Sequence, residues 1–134
     1  MFTKETMKDI ECRKDIEQVL QAFYAKAVDD ALIGHFFTQV IRLDVQSHVP
    51  VIADFWEAIL FDTRGYRKNV MEVHQQIHAS APIRKEHLDR WVLLFTETAA
   101  LHFRGSRTEL MKQRARSIAT IMHLKLNYGG ISRP

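Results

Sequence analysis

The sequence has few of the residues that build disulfide frameworks, tight turns and β-sheets. Its 134 residues include one cysteine, three prolines and five glycines. The single cysteine, Cys12, excludes an intrachain disulfide and is compatible with a reducing compartment. The scarcity of glycine, proline and β-branched stretches favours an all-α fold.

No apolar run approaches the length of about 20 residues that a membrane-spanning helix needs, and no signal peptide is recognisable. We therefore expect one domain over residues 1–134, soluble and cytoplasmic, with residues 1–12 and 127–134 frayed.

Charge of one sign is not concentrated anywhere along the chain. The 19 lysines and arginines and the 16 aspartates and glutamates give a net charge of +3, and the two signs are interspersed. This pattern predicts neither a nucleic-acid-binding surface nor a membrane partner. The glycine-rich fingerprint of a flavin or nicotinamide enzyme is also missing. Any redox reaction of this protein would therefore draw its electrons from an external reductase.

Apolar residues recur at the spacing of an α-helix in most of the sequence. This periodicity predicts helices over residues 13–28 and 44–61, over a segment that carries His74 and His78, over residues 82–103, and from Ser106 onward. Pro82 suits the first position of its helix. The stretch from Ser106 to Glu109 is typical of a capping box. No strand is predicted.

His74 and His78 lie four residues apart, so on a helix both would point from the same face. Two histidines at this spacing occur in zinc proteases, where both bind the metal and the glutamate after the first serves as general base. Here Gln75 follows His74, so the zinc-protease interpretation lacks its base. A helix that delivers one imidazole into an apolar pocket is what a haem iron needs on its proximal side. The spacing alone also allows an ordinary core or surface histidine.

Three short motifs stand out along the chain, namely F-Y at Phe23–Tyr24, H-V-P-V-I-A-D-F-W from His48 to Trp56, and H-L-D-R-W from His87 to Trp91. Their order resembles that in truncated haemoglobins, and they are most similar to those of group III. The last looks like the H-F-D-R-W of that group, with Leu88 in place of phenylalanine. The resemblance extends from about Asp15 to Leu126. It implies a shortened globin fold, in which helices are sandwiched two over two around a b-type haem.

The resemblance also implies roles for individual residues. His78 takes the proximal position on the iron, and His74, one turn earlier, is the alternative. The distal side would be lined by Tyr24, His48, Ile52 and Trp91. The porphyrin would pack against Phe36 and Phe37.

The haem propionates are less well assigned. The basic residue that the family usually has shortly after the distal histidine is missing, because Val51 and Ala53 stand there. Arg67 and Lys68 are candidates for holding the propionates on charge alone.

The function implied is binding of dioxygen and other diatomic gases at a five-coordinate iron. Dioxygen draws electron density from ferrous iron, so hydroxyl and indole donors stabilise it more than they stabilise carbon monoxide. An enzymatic variant is nitric-oxide dioxygenation or a peroxidase-like reaction with an external reductant. The alternative class is a haem-free sensor or interaction domain of globin topology. We expect a monomer or a weak dimer.

Overall fold

The computed structural model describes residues 7–40, 42, 44–62, 78 and 82–127. Within these ranges the regular structure is entirely helical. The helices are α1 (Arg13–Ala27), a π-helix (Phe36–Val40), α2 (Val45–Leu60), α3 (Lys85–His102) and α4 (Ser106–Asn127). None of them is long and apolar enough to cross a lipid bilayer. The predicted all-α fold is confirmed.

The core forms where α1 lies across its neighbours. α1 packs against α2 and α3, α3 also packs against α4, and α2 contacts α4. The predicted apolar stripe of α1 is buried, and Phe23 on α1 meets Phe95 on α3 with ring centroids 5.4 Å apart. Both rings are 1% exposed. Burying each of them stabilises the fold by about 1.5–3 kcal/mol.

The prediction that a helix begins at Pro82 is wrong by three residues. Residues 82–84 are not helical, and α3 begins at Lys85. The imidazole of His87 fixes this start, because its Nδ1 accepts a hydrogen bond of 2.9 Å from the backbone N–H of Arg84. That is the bond that glutamate or glutamine usually makes at this position of a capping box.

The start of α4 also differs from the sequence prediction. Gly105, which has no side chain to cap the helix, precedes Ser106, and Asp9 from the N-terminal segment takes the capping role. The Asp9 carboxylate accepts hydrogen bonds of 2.9 Å from the N–H groups of Arg107 and Thr108. It also accepts one of 2.8 Å from the Thr108 hydroxyl. A Cβ atom at Gly105, whose φ is +149°, would lie only 2.4 Å from the Asp9 Cγ. The predicted capping box at Ser106–Glu109 is therefore wrong.

The N-terminal segment is consequently joined to the core through Ile10. Ile10 is fully buried, and the carbonyl of Lys8 accepts a hydrogen bond from the backbone N–H of Arg104. The expectation that residues 1–12 fray is wrong for residues 7–12, because Asp9 and Ile10 bind the turn between α3 and α4.

We expect Asp9→Ala to lower the free energy of unfolding by roughly 1–2 kcal/mol, the usual effect of removing a helix cap. Burial raises the pKa of Asp9, but the hydrogen bonds from Arg107, Thr108 and Ile10 outweigh it and lower that pKa overall. Because folding lowers the pKa of Asp9, this residue makes its full contribution to stability above its pKa in the unfolded chain. That contribution is lost as the pH falls through the pKa of Asp9 in the folded protein. Urea unfolding at neutral pH and at about pH 3 measures both effects.

The exposed Asp29, just after α1, provides a matched control for this experiment. Asp29→Ala should change the unfolding free energy by less than about 0.5 kcal/mol. The difference in unfolding free energy between wild type and Asp9→Ala should be smaller in acid than at neutral pH. A difference that stays constant from neutral to acidic pH would contradict the capping role of the carboxylate.

Candidate functional site

Tyr24 and His48 meet between α1 and α2. Tyr24 lies one turn beyond Leu20 on the buried stripe of α1 and is 7% exposed. His48 lies in the first turns of α2 and is half-buried. The Tyr24 hydroxyl is 2.9 Å from Nε2 of His48, and the two rings are nearly perpendicular, with centroids 5.2 Å apart. Two of the residues expected on the distal side are thus brought together.

Burial keeps the Tyr24 hydroxyl protonated. Removal from water raises the pKa of Tyr24 well above its ordinary value, because the phenolate would lack solvation. A neutral hydroxyl has one proton and can also accept a hydrogen bond. If His48 carries its proton on Nε2, it donates to the Tyr24 oxygen, and the Tyr24 proton is available for a third group.

Aromatic rings extend this site towards α3 and the π-helix. The Tyr24 ring contacts Phe23 and Phe37, with centroids 5.1 and 5.8 Å away. Phe23 in turn contacts Trp91 at 6.4 Å, and Trp91 stacks on Phe95 at 5.7 Å. Trp91 is therefore linked to Tyr24 through Phe23.

Three of the predicted contact residues are only partly buried, namely Phe37, Ile52 and Trp91, although each packs against the core. They belong to the π-helix, α2 and α3. Such largely apolar side chains can pack against a hydrophobic ligand.

Phe36 contributes to a different cluster from Phe37. Its ring lies against His35 and His87, with centroids 4.2 and 5.0 Å away. Burial lowers the pKa of His87, and this outweighs the nearby Glu86, which raises it. Successive side chains on a helix point in different directions. This explains why the two adjacent phenylalanines, which were expected to act together, face different neighbours.

His78 is half-buried, and its ring is held by one nitrogen. Nδ1 accepts a hydrogen bond of 2.9 Å from the backbone N–H of Ile83, which is itself buried. A neutral imidazole that accepts at Nδ1 carries its proton on Nε2. To bind a metal through Nε2 and stay neutral, the ring would carry its proton on Nδ1 and release the hydrogen bond from Ile83. No group of three or more metal-binding side chains occurs in the described ranges.

Other predicted residues lie outside the described part of the chain. These are His74, the alternative axial ligand, and the two propionate candidates Arg67 and Lys68. Arg13 was missed by the sequence analysis although it binds α2 close to His48. An arginine at the start of an amphipathic helix gives no sequence signal that would identify its distant partners.

The fold formed around this tyrosine–histidine pair is that of a truncated globin. The chain is similar to the protein named Group 3 truncated hemoglobin ctb from Campylobacter jejuni, with 24% identity over 122 residues, covering 88% of this chain and 94% of that protein. The crystal structure of group III truncated hemoglobin from Campylobacter jejuni matches with a TM-score of 0.79 and 23% identity. That match covers 92% of this chain and 98% of the other. No family model matches the chain. The resemblance to group III truncated haemoglobins seen in the sequence is confirmed.

Proposed function

We propose that this protein binds haem b through His78 and holds dioxygen, or another diatomic gas, beside Tyr24 and His48. The observation that carries the proposal is the 2.9 Å hydrogen bond between the Tyr24 hydroxyl and His48 Nε2. It places two polar groups at the end of an otherwise aromatic cluster. The names of the two similar proteins support the same class of function.

The described residues fit a haem. The partly exposed apolar surfaces of Phe37, Ile52 and Trp91 suit a flat hydrophobic ring. The His78 imidazole supplies the kind of ligand that globins use on the proximal side. When bound, the haem supplies the iron that takes up the gas and shifts electron density towards dioxygen.

The protein side chains then decide which gas is held. Tyr24 remains neutral because burial raises its pKa, so it can donate a hydrogen bond to a ligand that carries partial negative charge. His48 can orient that proton by donating from Nε2 to the Tyr24 oxygen. Within an apolar surrounding such donors act more strongly than in water. Dioxygen therefore gains more from Tyr24 than carbon monoxide does.

Donors that hold dioxygen firmly suit oxygen chemistry better than rapid oxygen delivery. We therefore extend the proposal to reactions in which the held ligand meets nitric oxide, or in which peroxide is reduced. Both need electrons from an external reductase. A steady-state assay with a chemical reductant tests this extension separately from ligand binding.

A haem titration followed by absorbance tests the proposed function directly. Adding hemin to the purified protein should give a Soret band that saturates at one haem per chain, with distinct ferric, ferrous and carbonmonoxy spectra. A titration without saturation would instead favour the haem-free helical domain.

We expect His48→Leu to change ligand entry with little loss of haem. Leucine fills a similar volume but cannot bond the Tyr24 hydroxyl, so one polar contact that closes the site is lost. A contact of about 1 kcal/mol corresponds to a rate change of roughly five- to tenfold. Flash photolysis of the carbonmonoxy form measures the expected faster association.

His102→Leu is a suitable control, because His102 lies at the end of α3 and bonds the carbonyl of Thr98 in its own helix. Its carbon monoxide association rate should equal that of wild type. If His48→Leu also leaves that rate unchanged, His48 does not border the ligand path.

A further inference from the structure

Arg13 connects the start of α1 to the middle of α2. Its Nη2 donates a hydrogen bond of 2.9 Å to the carbonyl of Pro50. Its Nη1 donates to Asp54 and, at 3.1 Å, to Glu57. Its Nε donates to Glu17 on α1 at 3.0 Å, which orients the side chain. The planar guanidinium has five N–H groups and can serve all these acceptors at once.

Pro50 is a weak point inside α2. It has no N–H, so the carbonyl of Gln46 lacks its helical donor, and the pyrrolidine ring crowds that same carbonyl. The first turn of α2, which includes His48, is therefore joined less firmly to the rest of the helix. Its first internal bond runs from the His48 N–H to the carbonyl of Asp44 at 3.0 Å.

α1 thus holds α2 on both sides of this weak point. Tyr24 binds His48 before Pro50, whereas Arg13 binds Pro50 itself and the two carboxylates that follow it. The two attachments are about 16 Å apart along α1, at 1.5 Å per residue. These two attachments together restrain the angle between α1 and α2. If one of them is lost, the other must restrain the two helices alone.

We propose that Arg13 is a positioning residue, which anchors α2 at Pro50, Asp54 and Glu57 and so keeps the turn carrying His48 against Tyr24. Opening of that turn admits ligand, and Arg13 limits the opening. The part of this inference that concerns ligand entry rests on the proposed function. The part that concerns the position of the His48 turn does not.

Amide hydrogen exchange of the full-length protein tests the anchoring. In Arg13→Gln, the amides of His48 and Val49 should exchange about tenfold faster, the effect of losing a charged hydrogen-bond network. The amides of Met111 and Ala115 on α4 should keep their wild-type rates. Arg114→Gln, which changes an exposed arginine of α4, should leave all these rates unchanged.

Two further variants separate anchoring from a general loss of stability. Arg13→Lys keeps the positive charge but lacks the planar, forked set of N–H donors. The exchange rates of the His48 and Val49 amides in this variant should therefore lie between those of wild type and Arg13→Gln. Asp54→Asn removes one negative charge from the α2 side and should reproduce part of the effect with Arg13 intact.

Pro50→Ala provides the sharpest test, because it restores a donor to the Gln46 carbonyl. In the Pro50→Ala background, Arg13→Gln should change the exchange rates of the His48 and Val49 amides by less than about twofold. The first turn of α2 would then be held by its own helical hydrogen bond and would depend less on Arg13. An undiminished effect in that background, or equal acceleration in α4, would overturn the proposal.

Ligand kinetics then distinguish the failure of this inference from the failure of the proposed function. If the protein binds haem, Arg13→Gln should raise the carbon monoxide association rate in proportion to the amide exchange rate of His48. The positioning role would be refuted if Arg13→Gln left both the association rate and the exchange rate at their wild-type values. If the protein binds no haem, the proposed function fails. The exchange data from the Arg13 and Pro50 variants still decide whether Arg13 anchors the turn.

Discussion

Replacing His78 by alanine is expected to abolish stable haem binding. Nε2 of its imidazole is the proposed axial ligand. Iron at Nε2 would leave the ring proton on Nδ1, so the hydrogen bond that Nδ1 accepts from the N–H of Ile83 would be released. Loss of a residue that merely supports a metal ligand weakens metal binding by about 10- to 100-fold. Loss of the ligand itself should therefore weaken haem binding by more than about 100-fold. A hemin titration followed at the Soret band measures this change, and far-UV circular dichroism checks that the variant is folded.

His74→Ala is the matched control, because His74 stands four residues before His78 in the sequence and was predicted as the alternative axial ligand. It should retain haem with a wild-type spectrum. Free imidazole added to His78→Ala should restore part of the Soret band by filling the vacated position. If His74→Ala loses haem and His78→Ala keeps it, the assignment is displaced by one turn of helix.

Replacing Tyr24 by phenylalanine is expected to speed dioxygen dissociation by about ten- to a hundredfold. Phenylalanine keeps the ring and its contacts with Phe23 and Phe37 but removes the hydroxyl that bonds His48. A hydrogen bond to a partly charged acceptor contributes about 1.5–3 kcal/mol. Each 1.4 kcal/mol corresponds to about a factor of ten. Stopped-flow replacement of dioxygen by carbon monoxide gives the rate.

Carbon monoxide is the internal control for this variant. Its dissociation should change far less, because its bound oxygen carries little charge. Equal acceleration of both gases would indicate that Tyr24 acts by its shape. An unchanged dioxygen rate would mean that the hydroxyl does not contact the ligand.

Local patterns in the sequence predicted α1 and α2 closely, while the predicted helix that carries His74 and His78 lies outside the described residues except for His78. The predicted bounds of 13–28 and 44–61 compare with Arg13–Ala27 and Val45–Leu60 in the structure. Periodic burial determines such bounds, since the stripe of apolar residues ends where the helix leaves the core. The meeting of Tyr24 and His48 was expected only through the family resemblance. The spacing within one helix says nothing about which other helix it faces.

The contacts that no local pattern predicted are those between residues far apart in the chain. Asp9 takes the capping role that the sequence assigned to Ser106, and Arg13 reaches Pro50 and Asp54. The helix that contains His87 was predicted to begin at Pro82 and begins at Lys85, because an imidazole is not a usual capping group. In each case the hydrogen-bonding partner is chosen by tertiary packing.

The Asp9 contact also has a consequence for the order in which the chain assembles. Asp9 is separated from Arg107 by 98 residues, so during synthesis the N-terminal segment waits until nearly the whole described chain has been made. Closing so long a loop is slow compared with forming local helices. Until then Ile10, which ends fully buried, remains available to other apolar surfaces. The nascent protein should therefore be most prone to aggregation just before α4 is completed.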